Sequence, residues 1–231
     1  MSGLAVYHSD ATVGKEPLVP LFAAQGCEIV ATDQSYDAAQ STGWSQSNQY
    51  AGQIGSLNEK NLCDSQLFEK MVTFRTVDMR HIPKDLRGFD FTWSSCAFEH
   101  LGSIAAGLKF VLEQMECLSP GGIAVHTTEF NLGSNSETIE KGPTVLFRRR
   151  DLEKLSKKLK LRGNMVNLDF TPGSTEADLH VDSPPWSGTH LRLQHEGFII
   201  TSYGIVIKKG AAINKGAWPK TVSLLSGSKR R

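Results

Sequence analysis

At 231 residues, with 25 Lys and Arg against 24 Asp and Glu, the chain carries a formal charge of +1 and shows no basic excess for nucleic acid or an anionic membrane. Its apolar share of 39% and charged share of 21% suit a single soluble globular domain with a sizeable core. No apolar run approaches the roughly 20 residues that span a bilayer, and no signal-peptide pattern opens the chain, so a cytoplasmic location is expected.

Strand and helix signals alternate along the chain. Gly3 to His8 reads as a short strand, and Pro17 to Ala24 as a helix with proline at its start and Gly26 as its stop. Cys27 to Thr32 is a continuous buried-type strand closing on Asp33; residues 35–66 are polar, a loop with one or two short helices. Val72 to Val77 and Phe89 to Ser94 are two further strands. Ile104, Leu108, Val111, Leu112, Met115 and Leu118 recur at helical spacing, which predicts an amphipathic helix over 103–118, stopped by Ser119-Pro120-Gly121-Gly122. The strand Ile123 to Thr128 follows, then a helix opened by Asp151 and ended by Gly163, a strand over Met165 to Phe170 and a last one over Ile199 to Lys208. Apolar strands alternating with helices point to a parallel sheet covered on both faces. The four cysteines have no CxxC pair and no disulfide-framework spacing, which suits reduced thiols.

In an open parallel sheet the ligand lies beyond the carboxyl ends of the strands, near the point where strand order reverses. The residues directly after the strands are therefore the informative ones: Asp33, Asp78, Ser94-Ser95 and Thr128-Glu129. A carboxylate after the second strand suits a ribose diol, because it accepts from both hydroxyls.

The blocks Ala31-Thr32-Asp33, Val77-Asp78-Met79, Phe89-Asp90-Phe91-Thr92-Trp93-Ser94, Phe98-Glu99-His100-Leu101 and Leu118-Ser119-Pro120-Gly121-Gly122 resemble, in order and spacing, the motif series of class I S-adenosylmethionine-dependent methyltransferases. The resemblance covers residues 11–208 and is nearest to small bacterial methyltransferase-domain proteins with SSCAFEHLGS-like and HTTEFN-like blocks. It implies a Rossmann-like α/β fold: a seven-stranded, mostly parallel sheet with helices on both faces and the last strand antiparallel. Residues 1–210 then form the methyltransferase-like domain and 211–231 a tail ending in Lys229-Arg230-Arg231. It also implies S-adenosyl-L-methionine as cofactor, with Asp33 on the ribose hydroxyls and Gln34 beside it, Asp78 at the adenine amino group, Met79 on the ring, and Ser94 and Ser95 near the methionine moiety. One block departs from the family pattern. The loop after the first strand reads Asp10-Ala11-Thr12-Val13-Gly14-Lys15-Glu16, in which Gly14 fits but Thr12 and Glu16 stand where glycines are expected. An enzyme with a variant loop and a catalytically inactive, methyltransferase-like binding module are both compatible with that departure. A nicotinamide-dependent oxidoreductase would need G-x-G-x-x-G after the first strand, which is absent.

Two long insertions follow the fifth and sixth strands, on the edge expected to hold the cofactor, and suit binding walls for a small-molecule substrate. Methyl transfer to a hydroxyl needs in-line alignment and a proton acceptor, which nominates His100 and His126 with Glu99 and Glu129 as catalytic groups. His126, Glu129, His180, Asp182 and His190 form a metal-ligand inventory, but none has the tight spacing of a metal motif, so no metal is expected. Arg148-Arg149-Arg150 reads as a solvated face beside a helix start. The expected reaction is O-methylation of a small polar acceptor, with a sugar or polysaccharide hydroxyl as the guess. No nucleic-acid or membrane partner is expected, and the oligomeric state is left open.

Overall fold

The first third of the chain builds three strands and covers them on one side. The computed structural model describes residues 4–7, 17–42, 50–186 and 190–211. Strand β1 (Leu4–Tyr7) is followed by helix α1 (Leu18–Ala24), β2 (Ile29–Asp33), α2 (Tyr36–Thr42), a 3-10 turn at Ile54–Asn58, α3 (Ser65–Met71) and β3 (Val72–Thr76). Pro17 sits at the N-cap of α1, and Gly26, with φ 82°, ends the helix in a conformation only glycine adopts cheaply. Asp64 caps α3 by accepting from the Leu67 N–H at 3.0 Å. Val19 and Ala23 of α1 and Phe68 of α3 pack with Ile29, Ala31, Val72 and Trp93 to form one core layer.

The larger core lies on the other face. After β4 (Phe89–Ser94) comes α4 (Ile104–Gln114), whose Ser103 cap accepts from the Ala106 N–H at 3.2 Å. Then follow β5 (Leu118–Asn131), α5 (Arg149–Leu161), β6 (Met165–Val166), α6 (Glu176–Leu179), β7 (Leu193–His195) and β8 (Phe198–Lys208). Leu108, Val111 and Leu112 of α4 and Leu152, Leu155 and Leu159 of α5 bury against Ala124, Ile205 and Ile207; each large side chain contributes about 1.5–3 kcal/mol. Helices thus cover both faces of the sheet.

Gly107 lets α4 approach the turn beneath it. A Cβ there would meet the Phe98 carbonyl oxygen at 2.6 Å and the Phe147 ring at 2.7 Å. Gly107→Ala is therefore expected to lose about 1–3 kcal/mol in urea unfolding despite alanine's better helix propensity. An unchanged midpoint would show that the helix can shift away freely.

The strand order is β3-β2-β1-β4-β5-β8-β6, with β7 paired to β8. Pairings among β3, β2, β1, β4 and β5 are parallel, and all those of β8 are antiparallel. The order runs outward from β1 to β3, then reverses to β4 and β5, so the switch point lies between β1 and β4.

Against expectation the sheet is mixed and has eight strands rather than seven in a mostly parallel array. The additional strand is β7, joined to β8 by Glu196 and Gly197 with φ of 46° and 83°, a tight hairpin turn. The strand expected over Met165 to Phe170 shortens to Met165–Val166. Beyond it Phe170 leaves the sheet and stacks on Tyr203, with ring centroids 5.1 Å apart. Ser119-Pro120-Gly121-Gly122 is an irregularity at the start of β5 rather than a separate turn, and the β4–β5 register shifts there. No helix among the described residues is long and apolar enough to cross a membrane.

Candidate functional site

Asp33 ends β2 with its side chain shut from water. One carboxylate oxygen accepts from the Gln34 N–H at 2.7 Å and the other from the Ala51 N–H at 2.9 Å. Burial outweighs these two donors and pushes its pKa up to about 6. Each oxygen keeps a lone pair beyond the one it has committed. Tyr36 and Tyr50 stand beside it, their ring centroids 6.0 Å apart, and the Asp33 charge reaches the Tyr50 hydroxyl. Sequence reasoning passed over both tyrosines and the Ala51 amide, since nothing in the polar stretch 35–66 marks them as returning to the end of β2.

Asp78, after β3, is differently placed. It is partly exposed and grips Arg80 through both oxygens at 3.0–3.2 Å, with His81 at 3.1 Å. Partial burial pushes its pKa up, but Arg80 and His81 prevail and hold it at about 2. Its neighbour Met79 is buried with Val77 and Leu86 in the core rather than on an open surface. Gly14 and the loop 10–16 lie outside the described residues.

Ser94 closes β4 and is buried, with its hydroxyl 2.7 Å from His126 Nδ1 on β5. His126 is wholly enclosed and meets Phe98 and Phe110 edge to face. Burial drives its pKa down to about 3, so the ring is neutral at any ordinary pH. The structure thus places His126 in the packed layer beneath α4, on the opposite face of β5 from Glu129. Ser94→Ala would orphan a second polar atom beside His126 Nε2, which already has no partner. A loss of about 1–3 kcal/mol in chemical unfolding is expected; an unmoved curve would mean the pair contributes nothing.

Beyond Ser94 and the half-buried Ser95 the chain turns through Cys96, whose φ of 44° is left-handed, into a 3-10 turn at Phe98–His100. The Cys96 N–H donates to the Thr127 carbonyl and hydroxyl, at 3.1 and 3.0 Å, tying this turn to β5. Glu99 is fully buried and one of its oxygens accepts from the Thr128 hydroxyl at 2.9 Å. Burial, helped by the nearby Glu129 charge, pushes its pKa up to about 8. Burial also raises Glu129, while His195 and His190 pull it back down. Glu99 and Glu129 are therefore brought together at the carboxyl ends of β4 and β5.

His100 faces the insertion that follows β5. Its Nδ1 lies 2.9 Å from the Pro143 carbonyl oxygen and 3.2 Å from the Thr144 hydroxyl, and burial lowers its pKa. Val145 and Phe147 donate their N–H groups to the Glu99 and Glu129 carbonyls, each at 3.0 Å. Residues 143–147 thus form a strap fastened across the carboxylate pair rather than a free wall. Arg148, expected on a solvated face, is instead buried at the end of this strap.

The methyltransferase domain of bacterial CtHen1-CN is similar in structure, with a TM-score of 0.51 at 12% identity over 89% of each chain. A SAM-dependent methyltransferase of Methanosarcina mazei gives a TM-score of 0.53 at 12% identity, covering 90% of this chain and 92% of that one. The glycopeptide N-methyltransferase MtfA complexed with sinefungin gives 0.52 at 14% identity, covering 91% and 82%. No family model and no curated protein matches the sequence. Sheet order and these three likenesses agree: the chain has the α/β, Rossmann-like fold of the class I S-adenosylmethionine-dependent methyltransferases.

Proposed function

We propose that the protein is an S-adenosyl-L-methionine-dependent methyltransferase acting on the oxygen of a small polar acceptor. The observation that carries this reading is Asp33, a buried carboxylate at the end of β2, next to the switch point, with two backbone donors and free acceptor capacity. In that reading Asp33 receives the ribose hydroxyls, with Gln34, Tyr36 and Tyr50 around them. Ser94 and Ser95 border the methionine end. Asp78 serves the adenine end by exchanging part of its grip on Arg80 and His81 for the adenine amino group.

S-adenosylmethionine supplies the electrophilic methyl when bound. The chain's own residues must place the acceptor in line with it and take its proton. Glu129 and Glu99 stand at the strand ends next to Ser94-Ser95, on the acceptor side, and Glu129, less deeply buried, is the proton acceptor within reach of an incoming hydroxyl. His100 positions the strap through Pro143 and Thr144. His126, neutral and enclosed, supports Ser94 instead of moving protons. A sugar hydroxyl remains the acceptor class that the polar insertions suit best.

Thr12 and Glu16, standing where glycines are expected, favour a second reading: a binding module that holds an adenosine ligand or a partner without catalysis. Calorimetric titration with S-adenosylhomocysteine separates the two from a fold with no cofactor role. Micromolar binding supports the site, and turnover with added hydroxyl acceptors then selects the enzyme. A folded protein that takes up no ligand overturns the methyltransferase reading.

A further inference from the structure

The carboxyl ends of β4 and β5 bring together three side chains that ligate metals. Cys96 Sγ, a carboxylate oxygen of Glu99 and one of Glu129 all lie within 4.8 Å of one another. Acidic residues grouped at a protein surface often hold nothing, but this group is not at the surface. Glu99 has no exposure, and its Oε1 has no hydrogen-bond partner, while Oε2 accepts from Thr128. A buried carboxyl oxygen with no partner, beside a second carboxylate and a thiol, is an arrangement that a cation satisfies.

Two hydroxyls, Thr127 and Ser202, lie 3.5 and 3.4 Å from Cys96 Sγ and fix its position beside the carboxyl groups.

We propose that Cys96, Glu99 and Glu129 bind one divalent transition-metal ion of the zinc class. A thiolate with carboxylates suits zinc or cobalt, whereas magnesium and calcium call for oxygen ligands throughout. No local motif announces the site, because its donors come from two separate segments. The role of the ion rests on the methyltransferase reading: at the acceptor side of Ser94-Ser95 it would bind the acceptor oxygen and ease its deprotonation, the Glu129 oxygen not on the ion taking the proton. Its binding does not depend on that reading.

The test uses the full chain stripped of metal, titrated with zinc by calorimetry and with cobalt by absorption. One equivalent of each is expected, cobalt giving a thiolate charge-transfer band. Cys96→Ser should abolish the band, and Glu129→Gln should weaken zinc binding about tenfold or more. Both side chains are only half-buried, and circular dichroism of each variant checks folding. Absence of binding, binding unchanged in both variants, or equal competition by magnesium would overturn the site. Zinc binding without any uptake of S-adenosylhomocysteine would retain this site and remove the proposed reaction.

Discussion

Asp33→Ala is expected to weaken S-adenosylhomocysteine binding about 10- to 100-fold, the equivalent of one or two charge-assisted hydrogen bonds to the ribose. The variant also frees the Gln34 and Ala51 amides, so Asp33→Asn, which keeps one acceptor in place, is the necessary companion. The pH dependence makes the prediction sharper. In the folded protein the Asp33 carboxyl titrates at about 6, above its ordinary value of 3.8. Between those values the native state holds a proton that the unfolded chain has released. Its stabilising contribution is therefore complete below about pH 4 and lost as pH rises through about 6. The span corresponds to about 3 kcal/mol as an upper bound. Ligand binding runs the opposite way, strengthening over the same window as the carboxylate forms. Asp33→Asn should flatten both curves. Binding that stays intact in Asp33→Ala, or does not change between pH 5 and 7, would remove Asp33 from the cofactor site.

The sequence made the strand ends legible because each apolar run closes on a polar residue. Phe89 to Ser94 and the end at Asp33 stand where periodicity placed them. It did not disclose what those residues touch. His126 and Glu129 lie three apart on one strand, so the alternation of β structure sends them to opposite faces: His126 into the α4 layer, Glu129 to the side of Thr127 and Ser202. Reading both as one catalytic set required knowing which face is open, and that depends on α4. The β7 hairpin escaped because three residues, Leu193 to His195, are too short for a period of two to show. Asp78 illustrates another limit. A carboxylate after a strand is compatible with a ligand contact and with a turn, and the partner that decides, Arg80, is only two residues away. The approach of Cys96 and Glu99 to Glu129 is non-local and could be seen only once β4 and β5 were paired.

Arg148→Met is expected to cost about 3–5 kcal/mol of stability, the range for breaking a buried ion pair from one side. Position in a run of three arginines suggested a solvated cation, yet Arg148 is 4% exposed while Arg149 and Arg150 face water. Its Nε meets Asp151 at 2.7 Å, its Nη1 donates to the Ser136 carbonyl at 2.7 Å and its Nη2 to Glu140 at 2.7 Å. Asp151 in turn accepts from the Arg148 backbone N–H at 3.1 Å at the start of α5. One guanidinium thus joins the insertion after β5 to the helix that follows, at the end of the strap crossing Glu99 and Glu129. Methionine fills the volume but leaves the nearly buried Asp151 carboxylate without its cation. Arg148→Met/Asp151→Leu should recover part of the loss, since removing both charges also removes their desolvation. Urea unfolding of the two variants measures the coupling. A loss below about 1 kcal/mol in the single variant would class the contact with exposed pairs, and the strap would then have to be held by its backbone bonds to Glu99 and Glu129 and by His100.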